Sequence, residues 1–302
     1  MSEPDLLEEA DPEEAFTALA DETRVAILQA LWNPTPHWGG PGTLSFSDLR
    51  EAVGVRDSGQ FNYHLDKLRG RFVRKRNGGY ELTVAGRQIV GAIHAGAYTM
   101  SGSVEPIPLE ESCPSCGGSM TFHYENEHMA IECGDCDLQL TAGVPPGVFE
   151  GLDREEFPAV ATQYLRATLD KVKRGFCWYC DGQIERDIVP VRDLVPPERD
   201  EVGVDEDVPM AKYTCGRCGA SLTNDLGTSF LEEPAVATFF DDHGVDVQGP
   251  DWWRLNLFDR ARVEFVDDAE SRARVTFEAG DERLVLIVDE EHDVREIDRS
   301  SA

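Results

Sequence analysis

Eight cysteines are the residues of this chain with the plainest chemistry, and they pair off with none left over. Cys113 and Cys116 (CPSC), Cys133 and Cys136 (CGDC), Cys177 and Cys180 (CWYC), and Cys215 and Cys218 (CGRC) make four CxxC pairs. Sixteen residues separate the first pair from the second, and 34 separate the third from the fourth. A CxxC turn aims two thiolates at one point, and two such turns close a tetrahedron around Zn²⁺. Gly117, Gly118, Gly134, Gly216 and Gly219 supply the permissive backbone that such knuckles need. Four thiolates leave no open coordination position, so the expectation is two structural Zn²⁺ sites and no catalytic residue. A thioredoxin-like redox role would leave the second CxxC of each set idle. Each ribbon is too small for a core of its own, and the metal supplies folding energy instead.

Positive charge is the second concentrated resource. The chain holds 58 Asp plus Glu against 28 Lys plus Arg, a formal charge of −30, yet Arg69, Arg71, Arg74, Lys75 and Arg76 crowd into one short run. From Arg56 to Arg87 there are eight basic residues and three acidic ones, whereas residues 1–55 carry eleven acidic and two basic. On a helix through 58–68, Phe61, Leu65 and Leu68 share a face and should be buried. Gln60, Asn62, Tyr63 and Lys67 are left to point outward or to the flank, where such groups read base edges or hold phosphates. Asp57, three residues before Gln60, has capping-box spacing at the start of that helix. His64, near the buried edge, reads as a packed structural histidine.

The elements around this island have a consistent order. Residues 12–32 show helical spacing of Phe16, Leu19, Val25, Ile27, Leu28 and Leu31, with Asp21 as a cap for the second half. A Pro/Gly-rich loop, residues 33–43, contains His37 and Trp38 and has no demanding chemistry. "SDLREAVG" then reads as a short helix capped by Ser47 and closed by Gly54. After the helix at 58–68, "RFVRKRNGGYELT" alternates around Asn77-Gly78-Gly79, a tight-hairpin signal. Helix, turn, helix and a basic hairpin predict a winged helix-turn-helix over 11–100, and a cationic patch confined to it is the footprint of a DNA reader.

The blocks "AFTALADETRVAILQAL", "FSDLREAVGV", "FNYHLDKL" and "YELTVAGRQIV" resemble the winged-helix domain of the ArsR-like transcriptional regulators of haloarchaea, over about residues 12–96. The resemblance implies binding of double-stranded DNA as a homodimer, with terminal helices such as "AGRQIVGAIHAGAYTM" at the dimer contact. Metal-sensing members carry Cys in the recognition helix, and "DSGQFNYHLDKLRG" has none, so a heavy-metal sensor role is not implied.

Residues 101–112, "SGSVEPIPLEES", read as a linker. Behind it, residues 113–172 form a first zinc-ribbon module plus helix, and 173–302 a second module, a helix and terminal strands. The insert "RDLVPPERDEVGVDEDVPM" is acidic and Pro-bearing, as a surface loop between ribbon strands should be. "PAVAT" recurs after each ribbon, each time opening a Pro-initiated helix, which points to a degenerate repeat. "ARVEFV", "RARVTFEAG" and "ERLVLIVDE", with Asp281 near a turn, predict an antiparallel meander packed on the second helix. Trp252 and Trp253 before it read as packing residues. The tail of the same haloarchaeal regulators is similar, more loosely. The fold class is therefore expected to be α+β.

The acidic excess, with only five lysines, is what a protein needs to stay hydrated in molar salt. Residues 1–14 are acidic, with no basic start or apolar run, and the segment "LVLIV" falls far short of a membrane span. The expected location is the cytoplasm of a halophile, without membrane contact. No nucleophile–base constellation, phosphate loop or open metal site points to an enzyme. The favoured function is a transcriptional regulator. The alternative is an accessory factor of the transcription machinery that grips polymerase or promoter DNA without sequence choice.

Overall fold

A computed structural model describes residues 11–32, 43–113, 116–136, 138–194, 207–247, 261–266 and 269–301. The architecture is mixed α+β with antiparallel sheets. It divides into two compact units, Met1–Met100 and Ser101–Ala302. Among the described residues no helix is long and apolar enough to cross a membrane. The Pro/Gly loop with His37 and Trp38, most of the acidic insert, and Trp252-Trp253 lie outside the described residues.

In the first unit residues 12–32 form two helices, α1 (Pro12–Leu19) and α2 (Glu22–Ala30), with Asp21 capping the second as its position indicated. Asp21 causes the break, because its carboxylate accepts from the Arg24 N–H at 3.1 Å and caps α2. Helix α3 (Phe46–Val53) starts earlier than its sequence indicated. Ser45, not Ser47, is the cap, and its hydroxyl accepts from the Asp48 N–H at 3.2 Å. Helix α4 (Ser58–Leu68) is capped by Asp57, which accepts from the Gln60 N–H at 2.7 Å. Strands β1 (Val73–Arg76) and β2 (Gly79–Leu82) pair antiparallel around Asn77 and Gly78, whose φ of +48° and +82° fit a tight hairpin turn. Helix α5 (Val84–His94) closes the unit. Ile27, Leu28, Leu49, Phe61, Leu65, Leu68, Val73 and Val90 are fully buried together, so the core face of α4 is the one its periodicity predicted.

The second unit begins with a strand where a linker was expected. β3 (Ser103–Ser112) pairs with β4 (Ser119–Glu125), which pairs with β5 (His128–Cys133) and then β6 (Gln139–Gly143). β3 lies at the edge of this sheet, where Pro106 and Pro108 remove donors that an edge strand can spare, and its register shifts twice. Helix α6 (Phe157–Lys173) follows, with Pro158 in its first turn. A three-stranded sheet comes next, β7 (Ile184–Pro190), β8 (Pro209–Cys215) and β9 (Ser221–Asp225), and then α7 (Leu226–Ser229) and α8 (Pro234–Asp242).

The terminal meander has four strands, not three: β10 (Ala261–Phe265), β11 (Arg272–Ala279), β12 (Glu282–Asp289) and β13 (Val294–Ser301). β13 is polar and mostly exposed, which hid it from hydrophobic patterning. Its arginines are bridged to neighbours instead; Arg299, for example, meets Asp242 at 2.6 Å and Glu282 at 2.7 Å. Phe239 and Phe240 of α8 pack on the inner face of the meander with Val275, Phe277 and Leu286.

Helix α6 serves two cores. Phe157, Ala161, Tyr164 and Leu165 join the core of the β3–β6 sheet, whereas Leu169 and Val172 join the larger core under the meander. A helix follows each four-cysteine module, α6 the first and α8 the second, and α6 in addition packs into both cores.

Residues 101–302 hold 44 Asp plus Glu and 18 Lys plus Arg. Exposed ion pairs contribute ~1 kcal/mol at most each and cannot offset this repulsion at low ionic strength. The fold should therefore weaken as KCl falls from roughly 1 M to ~20 mM, where the screening length grows from ~3 Å to beyond 20 Å. Circular dichroism that stays constant over that range would refute the expectation.

Candidate metal centres and a basic surface

Each four-cysteine set converges. Within each, the four Sγ atoms all lie within 4.8 Å of one another. Cys113 faces Cys136 at 3.6 Å and Cys116 faces Cys133 at 3.5 Å. The second set repeats this pairing of first with fourth and second with third: Cys177–Cys218 at 3.7 Å and Cys180–Cys215 at 3.5 Å. A disulfide would bring two sulfurs to about 2.05 Å. Thiolates at about 2.3 Å from a common tetrahedral ion would stand ~3.8 Å apart, which these separations approach. The donor set fits a divalent metal ion held by four sulfurs, with no position open for substrate.

Local backbone explains the convergence. The Cys113 N–H donates to the Gly118 carbonyl at 2.7 Å, and the Cys177 N–H donates to the Gly182 carbonyl at 2.8 Å, each closing a knuckle. The second CxxC of each set sits at the end of a strand, Cys133 on β5 and Cys215 on β8. A Cβ at Gly182 would stand 3.0 Å from the Cys215 sulfur and 3.1 Å from that of Cys180, so only glycine leaves room for the cage.

The thiols hold their protons unequally. The Cys218 N–H hydrogen-bonds Cys215 and, against the push of desolvation and with the help of the Arg217 N–H, brings its pKa down to about 6. At Cys180 the Gly182 N–H pulls down, but desolvation and the other three thiols push the value up to about 12. Full deprotonation of such a cage requires a dication, so metal uptake releases protons and acid reverses it.

The residues expected to meet nucleic acid fall on α4 and the β1–β2 hairpin. Gln60, Asn62, Tyr63 and Lys67 are all exposed, as are Arg69, Arg74, Lys75 and Arg76, and Arg71 is half-buried. His64 is buried, with Nδ1 3.2 Å from the Asp21 carboxylate. Burial holds the Asp21 pKa up, but the Arg24 N–H bond and the nearby His64 and Arg24 charges carry it below the ordinary carboxylate value.

The charges are not all available. Asp66 ties two of the candidates, accepting from Asn62 Nδ2 at 2.8 Å and from Arg69 Nη1 at 2.8 Å. Glu81, 1% exposed, sits 2.6 Å from Arg74 Nε and 3.6 Å from Arg76 Nη1. Arg71 lies 3.7 Å from Glu14. Lys67 stacks over the Tyr63 ring and Lys75 over Tyr80, at 5.6 and 5.8 Å. The role of Glu81 escaped sequence reading, although the signal was there. A two-residue turn at Asn77-Gly78 places Arg74 directly opposite Glu81.

Two family models match the chain, both described as domains of unknown function: DUF7347 over residues 12–93 and DUF7351 over residues 110–294. No curated protein and no solved structure matches it.

Proposed function

We propose that this chain, which belongs to the DUF7351 family, is a DNA-binding transcriptional regulator whose second unit is braced by two Zn²⁺ ions. On this reading residues 11–100 are a winged helix-turn-helix. α3 and α4 are its helix pair, and the β1–β2 hairpin is the wing. The observation that carries the proposal is the run of exposed polar and cationic side chains on α4, followed directly by those on the hairpin, in a chain of net charge −30. Phe16 in the middle of α1, Trp32 just past α2, and Tyr98 and Met100 after α5 remain exposed, which supports a homodimer through the terminal helices.

Zinc is favoured at both cages because tetrahedral all-sulfur sites select it, and four protein ligands make the role structural. When bound, the ion would be held by Cys113, Cys116, Cys133 and Cys136 in one site and Cys177, Cys180, Cys215 and Cys218 in the other. It would contribute cross-linking and folding energy.

Sequence choice must come from base-edge contacts, because counterion release contributes little in concentrated salt. Gln60 is the clearest reader, since Asn62 is partly engaged by Asp66. Gln60→Ala should cost roughly 1–3 kcal/mol on the preferred duplex and much less on random duplex. Genome-wide occupancy in the native host, followed by binding assays on the recovered sequences, tests this. Enrichment at few promoters is the expected result. Uniform occupancy of all promoters would instead favour a general accessory factor.

A further inference from the structure

The two four-cysteine cages repeat one geometry in opposite surroundings. Residues 101–150, which carry the first, hold nine Asp plus Glu and no Lys or Arg. Around the second, residues 171–186 and 209–219 hold six basic residues and two acidic ones. A metal-loaded cage of four thiolates is a net dianion, which nearby cations would offset. The first cage would need that offset equally and has none, so counter-charge does not explain the difference. Several of the six are committed elsewhere. Lys171 pairs with Asp181 at 2.6 Å, Lys173 with Glu232 at 3.5 Å, and Arg186 donates to two backbone carbonyls. Arg174 and Arg217 are exposed, and neither pairs with a carboxylate among the described residues.

The second cage also displays aromatic rings, where the first has Pro114, Ser115, Gly134 and Asp135 between its cysteines. Tyr179, between Cys177 and Cys180, is 76% exposed, and Phe176, just before Cys177, is 52% exposed. Among the described residues no other aromatic side chain of this unit is so open. Tyr179 is held in place. Its N–H bonds the Cys177 sulfur at 3.4 Å, and its ring lies 5.2 Å from that of Trp178, which packs against the larger core. Arg217 reaches the same spot from the facing CGRC turn, where its Nη1 donates to the Cys180 carbonyl at 3.3 Å, one residue from Tyr179.

We propose that this second knuckle binds single-stranded DNA, with a base stacked on Tyr179 and the adjoining phosphate on Arg217. Phe176 adds a ring three residues away and Arg174 a further cation. An open ring braced by a core tryptophan, beside a guanidinium free of carboxylates, matches an unpaired nucleotide, which offers one π-face and one charge. A duplex withholds those faces by stacking its bases on each other. An acidic protein segment would use the cations and leave the rings idle, and an apolar segment the reverse. The choice of DNA over RNA rests on the proposed function.

The test is fluorescence anisotropy of the full, metal-replete chain at constant KCl, with labelled oligothymidine and oligouridine of about ten nucleotides as probes. Polyglutamate serves as competitor. Oligothymidine should saturate the protein, oligouridine should bind no tighter, and polyglutamate should not displace either. Tyr179→Ala should weaken binding at least about fivefold, the loss of one stacked base, and Tyr179→Phe should retain it. Arg217→Gln, on the facing turn, should weaken it too and flatten its salt dependence by about 0.7 units, one phosphate contact on a single strand. Arg262→Gln, which removes an equal charge from exposed strand β10, should change nothing. Equal metal content and melting temperature would show that the variants fold. Duplex binding, which the proposed function assigns to the first unit, should be the same in Tyr179→Ala and the parent chain, so the two readings fail separately. The inference is overturned if oligothymidine does not saturate the protein, if oligouridine binds more tightly or polyglutamate displaces it, or if Tyr179→Ala and Arg217→Gln bind as the parent does.

Discussion

Cys133→Ser releases one of two bound Zn²⁺ ions and unfolds the β3–β6 sheet, whereas Cys180→Ser releases the other ion and leaves the terminal meander folded. This is the expected result, and core size is the reason for the asymmetry. Among the described residues the β3–β6 sheet rests on nine buried ones, one of which, Cys113, belongs to the four-cysteine cage itself. The second core has eighteen, most of them on α7, α8 and the meander rather than on the knuckle. A structural Zn²⁺ contributes on the order of 10 kcal/mol of apparent folding energy at neutral pH, comparable with the whole stability of a small domain. The larger core can survive that loss and the smaller cannot. Hydrogen exchange resolved by peptide reads this out. Amides of β4 and β5 should lose about 100-fold or more of their protection in Cys133→Ser, and those of β11 and β12 should keep theirs in Cys180→Ser. Elemental analysis should give two metals in the parent chain and one in each variant. Fewer than one metal per parent chain, under reducing and metal-replete conditions, would remove the structural-zinc reading.

The second large effect concerns the hairpin, where buried Glu81 changes how the experiment must be built. Removing Arg74 and Arg76 alone strips the nearest cations from a carboxylate that is 1% exposed, so lost stability would masquerade as lost binding. The triple variant Arg74→Ala, Arg76→Ala, Glu81→Gln avoids this by leaving an uncharged partner in the core. It should bind every duplex more weakly, by about tenfold or more at moderate salt, and flatten the salt dependence by about two units. Lys75→Ala, which disturbs no carboxylate contact, should flatten it by about one. Glu81→Gln alone frees both guanidiniums and should strengthen non-specific binding. If the triple variant binds its preferred site like the parent chain, the hairpin serves another partner and the proposed function falls with it.

What the sequence determined by itself is what short-range chemistry controls. The CxxC spacings identified both four-cysteine cages before any fold was known, because a thiolate pair at i and i+3 points inward whatever surrounds it. Asp57 and the Asn77-Gly78 pair likewise set a helix start and a hairpin register through contacts within a few residues. The periodicity of Phe61, Leu65 and Leu68 named the buried face of α4. Tertiary structure decided the rest, through partners distant in the chain. Pro106 and Pro108 made residues 103–112 look like a linker, and only pairing with β4 made them an edge strand. Polar β13 is a strand because β12 supplies its ladder and Glu282 its counter-charge, neither visible in its own pattern. α6 divides between two cores because two sheets flank it in space. Arg174 after α6, Arg186 on β7, Tyr213 on β8 and His292 in the β12–β13 turn line one cavity, and no local rule reaches across the 117 residues between Arg174 and His292.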